Sequence, residues 1–165
     1  MGTPFTQVYN RFLGKITDDM YMELTPEDTV RDLRNLLIDA IPGFEFPRVN
    51  LLDYTIIEAE NALEEESSFA ADLSSEEINI LAILMMIGWT QRQVTSIENT
   101  RMKYSSSDFK FTSQANHLSK LLSAKSEAVR ESTHAQRLYK RRKFNVDGTV
   151  SSNWSCLIEE SALDD

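Results

Sequence analysis

The stretch "LSSEEINILAILMMIGWTQRQV", Leu73 to Val94, decides the fold. Ser74 followed three residues later by Glu77 is a capping box, in which the serine oxygen and the glutamate carboxylate each take one backbone N–H that a helix start leaves unpaired. The pattern predicts a helix that begins near Ser75 and, with Val94 and Ile97 still apolar beyond Trp89, reaches Asn99. Its apolar run, Ile80 to Trp89, is about ten residues, which at ~1.5 Å per residue crosses only about half of a ~30 Å hydrocarbon core. A membrane span is excluded on length. Because the run is apolar nearly all round, two of its faces need cover. Either it is the central helix of a bundle, with Met85 and Trp89 in the buried seam, or one face packs on another subunit.

Upstream, Phe5, Val8, Phe12, Leu13 and Ile16 recur at helical spacing and predict a short helix from about Thr6 to Lys15. In "TPEDTVRDLRNLLIDAIPG", Thr25 is the expected N-cap, and Pro26 suits the first helical position because its missing N–H costs nothing there. Glu27 and Asp28 complement the positive end of the dipole. Val30, Leu33, Leu37, Ala40 and Ile41 form the expected buried stripe, and Pro42-Gly43 ends the helix. From Phe44 to Asp72 periodicity dissolves: "VNLLDYTII" suggests a short extended piece, and the acidic block from Glu58 to Asp72 reads as a loop.

Downstream, "RMKYSSSDFKFTSQ" alternates Met102 and Tyr104 with Lys103, then Phe109 and Phe111 with Lys110, across a Ser-Ser-Ser-Asp turn. This predicts a β-hairpin with one aromatic face, the alternative being a serine-rich loop. A long helix is expected from Ser113 to about Lys143, with Ala115, Leu118, Leu121, Leu122, Ala128, Val129, Ala135 and Leu138 buried. Its closing "RLYKRRKF" sets cations at the negative end of the dipole. Beyond it, Asp147-Gly148 reads as a tight turn between short strands, and "IEESALDD" as an acidic tail. The fold class is mainly α: a bundle of about four helices with a long C-terminal helix and a small β-hairpin. A helical domain spans 1–143, and 144–165 forms a hairpin-and-tail arm.

A chain of 165 residues, 41% hydrophobic, has the size of one domain. The N-terminus lacks a basic segment leading into an apolar stretch, so no secretory signal is expected. Cys156 is the only cysteine, which makes an intrachain disulfide impossible. Without a sequence-neighbouring cation cluster its thiol is expected to be inert. Net charge is −9, and it is segregated: no Lys or Arg occurs from Val49 to Gln91, while Arg92 to Lys143 holds 12 basic against 4 acidic residues. Opposed charges of this kind suit head-to-tail association.

Chemistry-bearing motifs are scarce. His117 and His134 are 17 residues apart on one predicted helix, about 25 Å by the helical rise, too far to share a metal or a proton. There is no phosphate-binding Gly-rich loop, paired-cysteine ligand set or nucleophile elbow, and Asp147-Gly148 lacks the repeated acids of a calcium loop. No catalytic residue, cofactor or metal is expected. "WTQRQVTSIEN" resembles the start of a helix-turn-helix but runs on without a turn glycine, and a pI near 4.8 opposes sequence-specific DNA binding.

The order of a short amphipathic helix ("FTQVYNRFLGKI"), a helix stopped by proline ("TVRDLRNLLIDAIP"), the capped "LSSEEINILAILMMIGW" and the joined "IENTRMKYSSSDFKFTSQANHLSKLL" resembles the head-to-tail connector, or neck, proteins of tailed bacteriophages. The resemblance covers about Phe5 to Lys143. It implies a non-enzymatic virion component made in the host cytoplasm: a homo-oligomeric ring, commonly of twelve copies in that group, docked beneath the portal. Other neck or tail proteins would be its neighbours, and DNA would pass through the lumen without sequence-specific contacts. No counterpart is evident for the acidic insert, 58–72. A helical DNA-binding or packaging accessory protein is the first alternative, and a stand-alone interaction module of the host cytosol is the second. Arg137, Lys140, Arg141, Arg142 and Lys143 occupy barely two turns, so they splay around the helix and cannot all pair within one small domain. With Phe109, Phe111 and Trp89, they are the candidate partner and oligomer contacts, facing an acidic protein surface in preference to DNA phosphates.

Overall fold

The computed structural model describes residues 2–16, 21, 24–57, 67–103, 111–144 and 150–152. The elements are α1 (Phe5–Leu13), α2 (Pro26–Ala40) running into a 3-10 turn (Ile41–Gly43), β1 (Tyr54–Thr55), β2 (Ser68–Phe69), α3 (Ser75–Lys103), α4 (Phe111–Arg141), β3 (Arg142–Phe144) and β4 (Val150–Ser152). The chain is a mainly helical bundle with small antiparallel strand pairs.

Local signals set both middle helices. Thr25 Oγ1 accepts the Asp28 N–H at 3.2 Å, and Pro26 opens α2. At α3 the capping box closes both ways: the Ser74 N–H donates to Glu77 Oε2 at 2.7 Å and the Glu77 N–H to Ser74 Oγ at 3.3 Å. The buried face of α2 is Leu33, Leu36, Leu37 and Ala40, with Val30 only half-buried. Leu36 takes the stripe's place because it meets α3 where that helix has no side chain: a Cβ on Gly88 would lie 3.3 Å from Leu36 Cδ1.

Helix α3 is the centre of the bundle. α1, α2 and α4 all pack against it, and they bury Ile80, Leu81, Ala82, Ile83 and Met85. Three covering neighbours explain why this run is apolar nearly all round. Trp89 is half-buried against the same core. Arg92, one turn further, ties α3 to α2 through Asp32 at 2.7 Å and Asp39 at 3.1 Å.

The last two helices are longer than their neighbours, at 29 and 31 residues. Glu77 meets Tyr139, and Gln91 meets Lys125, so the two run antiparallel in constant register. Val94 is the last buried residue of α3 among the described side chains. Past Val94 the pair continues for nine residues of α3, about 14 Å of helical rise, as a two-helix arm whose described side chains, Thr95 to Asn99, are exposed or half-buried.

Of the hairpin expected over 102–111, the described ends are helical, and 104–110 lie outside the described residues. Met102 and Lys103 close α3, and Phe111 opens α4. Two residues of alternation on each side offer few cross-strand bonds, whereas extending an existing helix adds one hydrogen bond per residue. Phe109 lies outside the described residues. The short strands expected around Asp147-Gly148 do form, with Arg142 opposite Ser152, Lys143 opposite Ser151 and Phe144 opposite Val150; the expected turn residues themselves lie outside the described residues.

The extended piece in "VNLLDYTII" is β1, and its partner β2 was not foreseen. The N-terminus joins them. Phe69 N–H donates to Thr3 O at 2.9 Å, Thr3 N–H to Ala71 O at 3.1 Å and Phe5 N–H to Ser67 O at 2.9 Å. Phe5 then packs on Phe69, with ring centroids 4.7 Å apart, and on Tyr54 at 5.8 Å. Gly2 is required here: a Cβ would fall 1.7 Å from Phe69 O.

Candidate interaction site at the end of the long helix

Several of the buried polar residues converge on the last turns of α4. Ser132, Gln136 and Tyr139 lie on its inner side, where apolar residues were expected. The Gln136 side chain holds the 43–48 loop: Oε1 accepts the Glu45 N–H at 2.8 Å, and Nε2 donates to Gly43 O at 3.2 Å and to Ser132 Oγ at 3.1 Å. Tyr139 is 1% exposed. Its ring meets Phe44 edge-on, centroids 5.3 Å apart, and the Arg48 guanidinium lies 4.0 Å above it.

The Tyr139 hydroxyl donates to Glu77 Oε1 and accepts the Arg48 N–H at 3.1 Å. Glu77, 4% exposed, therefore has two roles: Oε2 completes the capping box of α3, and Oε1 receives the tyrosine of α4. A buried carboxylate is costly unless donors surround it, and here the Ser74 N–H, the Ser74 hydroxyl and the Tyr139 hydroxyl do so. Burial first, and then the hydrogen bond to Glu77, push the Tyr139 phenol well above its ordinary value. It stays a neutral donor throughout the physiological range.

Around this anchor stand the candidate cations. Arg142 pairs with Glu76 in the first turn of α3. One of the charges expected to face a partner is thus neutralised within the chain, because the antiparallel register brings the basic end of α4 beside the acidic start of α3. Lys140 lies 4.0 Å over the Phe46 ring, which is 51% exposed. Arg137 is exposed and makes no ion pair or hydrogen bond among the described residues. Arg141 is exposed and engaged in an interaction within the chain. The Lys143 and Phe111 side chains lie outside the description, as does Phe109. Trp89 stands apart: in the register that pairs Gln91 with Lys125 it lies opposite the middle of α4, about 18 Å along the helix from Tyr139.

Glu45, Phe46, Thr133, Gln136, Arg137 and Lys140 line a cleft of about 240 Å³. It offers two cations, one carboxylate and an aromatic ring, which suits binding an anionic group and supplies no nucleophile with an adjacent base. His117 and His134 are both exposed on α4. Among the described residues no group of three or more His, Cys, Asp or Glu side chains could hold a metal ion, and no helix is long and apolar enough to cross a membrane.

Sequence reasoning found the basic residues and missed Phe46, Arg48, Gln136 and Tyr139, which place them. The available signal was polar: Ser132, Gln136 and Tyr139 recur at spacings of four and three within a helix whose other inner residues are apolar. No protein-family description, curated protein or solved structure matches the chain.

Proposed function

We propose that the chain is a structural, non-enzymatic virion component, a ring-forming connector at the portal-proximal neck that joins head to tail around the DNA passage. The observation that carries this reading is the two-helix arm. α3 continues nine residues past Val94, its last buried residue among the described side chains, and such an arm offers a neighbour an extended side to pack on. Repeated head-to-tail, a contact of that kind is heterologous and closes into a ring when the rotation permits. The resemblance of the helix order to neck proteins adds the setting. Exposed Arg137 and Lys140 offer a second contact, to an acidic surface on the portal or on an adjacent subunit.

The same two cations favour the second reading, a helical DNA-binding or packaging accessory protein. Electron microscopy of purified particles, with the chain tagged, tests the first: density at the neck is expected, and its absence from particles refutes the proposal. A salt series on DNA retention separates the two. A steep loss of binding between about 50 and 200 mM salt would count several phosphate contacts and favour the accessory protein.

A further inference from the structure

The outer side of α4 carries an apolar and basic stripe, of which sequence periodicity assigned Leu122 and Val129 to the core. At about 100° per residue, Leu122, Ser126, Val129, Thr133, Arg137 and Lys140 fall within one narrow sector of the helix. All six are exposed, Leu122 by 47% and Val129 by 44%. Glu127 and Glu131 project from a different side, where they meet Arg130 and Lys15. No acidic residue of α4 lies in the stripe, and among the described residues Glu45 is the one carboxylate lining the cleft at its basic end.

The chain itself carries a segment of complementary chemistry, and the hairpin delivers it to this place. β4 returns antiparallel to β3, and Ser152 pairs with Arg142. The remaining 13 residues therefore leave from beside the basic end of the stripe. They include Glu159, Glu160, Asp164 and Asp165, interleaved with Leu157, Ile158, Ala162 and Leu163, and they contain no Lys or Arg. Val129 is 13 residues from Arg142 along α4, about 20 Å. Thirteen residues span about 20 Å as a helix and about 43 Å extended, so the segment reaches Val129 in either form.

We infer that the acidic C-terminal segment, 153–165, lies back along the outer stripe of α4 in its own molecule, its carboxylates on Arg137 and Lys140 and its apolar residues toward Val129 and Leu122. Short attachment gives it a high effective concentration there, in the millimolar range, so modest contacts suffice. The surface is specific for an acidic peptide with apolar anchors, and any acidic partner that docks at Arg137 and Lys140 must displace the chain's own segment first. This inference stands whether or not the chain is a connector.

The single native cysteine makes the test clean. In the full-length chain carrying Cys156→Ser and Ala162→Cys, a nitroxide is attached at position 162 and amide broadening is read by NMR. The Ser126, Val129 and Thr133 amides are expected to lose most of their intensity at low salt. They should recover it at high salt and with Arg137→Glu plus Lys140→Glu, two exposed positions at which folding is checked by circular dichroism. Arg137→Lys should keep the broadening. Unchanged intensities at these three amides overturn the inference. So does broadening seen only when the nitroxide is on a second, isotopically unlabelled copy, which would put the segment on a neighbouring molecule.

Discussion

Tyr139→Phe removes one oxygen from a buried ring and leaves the packing in place. Phenylalanine keeps the edge contact with Phe44 at 5.3 Å and the cation 4.0 Å above the ring, so the loss reports the hydroxyl. Two bonds go: the donation to Glu77 and the acceptance of the Arg48 N–H. A hydrogen bond to a charged acceptor contributes about 1.5–3 kcal/mol, and a donor stranded without a partner costs about 1–3 kcal/mol. The Arg48 amide is only part-buried and can recover a water. We therefore expect a net destabilisation of about 3 kcal/mol, read as a lower urea midpoint at unchanged slope in far-UV circular dichroism. Glu77→Gln has one acceptor oxygen where the carboxylate uses two, so it must give up either the cap or the tyrosine. The double-mutant cycle should return a coupling of about 1–3 kcal/mol. Alkaline titration adds a second readout. The folded chain holds the Tyr139 proton more tightly than the unfolded chain. Its contribution is therefore complete below the unfolded value of about 10 and is lost as pH climbs beyond it, by at most ~1.4 kcal/mol per pH unit. Tyr139→Phe should flatten that limb relative to the unmodified chain. A midpoint change under about 0.5 kcal/mol, or a cycle without coupling, would refute the account of Glu77 and Tyr139 as one unit.

Gly2→Ala puts a methyl 1.7 Å from Phe69 O; it should cost about 1–3 kcal/mol and abolish hydrogen-exchange protection at the Phe69 and Thr3 amides, and retained protection would show that the N-terminal pairing is not fixed there. Trp89→Ala should cost about 3 kcal/mol, the low end for truncating a large aromatic, because the ring is half-buried. Loss of association in sedimentation with an unchanged melting curve would instead assign Trp89 to a subunit contact. Arg92→Ala breaks the links to Asp32 and Asp39, but all three groups are substantially exposed, so the loss should stay under about 1 kcal/mol and vanish in high salt. A larger, salt-independent loss would mean that Arg92 packs through its stem.

The sequence by itself determined the elements whose causes are local. Thr25, Pro26 and Asp28 start α2, and Ser74 with Glu77 starts α3, because each cap joins groups three residues apart and needs nothing else from the fold. The all-round apolarity of Ile80 to Trp89 likewise required a covered helix wherever its neighbours came from. Extent was less legible. The helices around 104–110 run further than patterning indicated, since a fading apolar stripe marks where the bundle ends and not where the backbone stops being helical.

Tertiary structure alone decided which residues of α4 share its inner side with the expected Ala128 and Ala135. Leu122 and Val129 stand out in solvent while Ser132, Gln136 and Tyr139 are buried, a reversal that hydrophobicity cannot anticipate. Those polar groups are tolerable inside because their partners arrive from Gly43, Glu45, Arg48 and Glu77, 62 to 93 residues away in sequence. The same distance hid the pairing of Arg142 with Glu76 and the second role of the capping glutamate. A side chain's own neighbours in sequence fix its local conformation, whereas the cost of burying a polar atom depends on what the rest of the chain brings within about 3 Å of it.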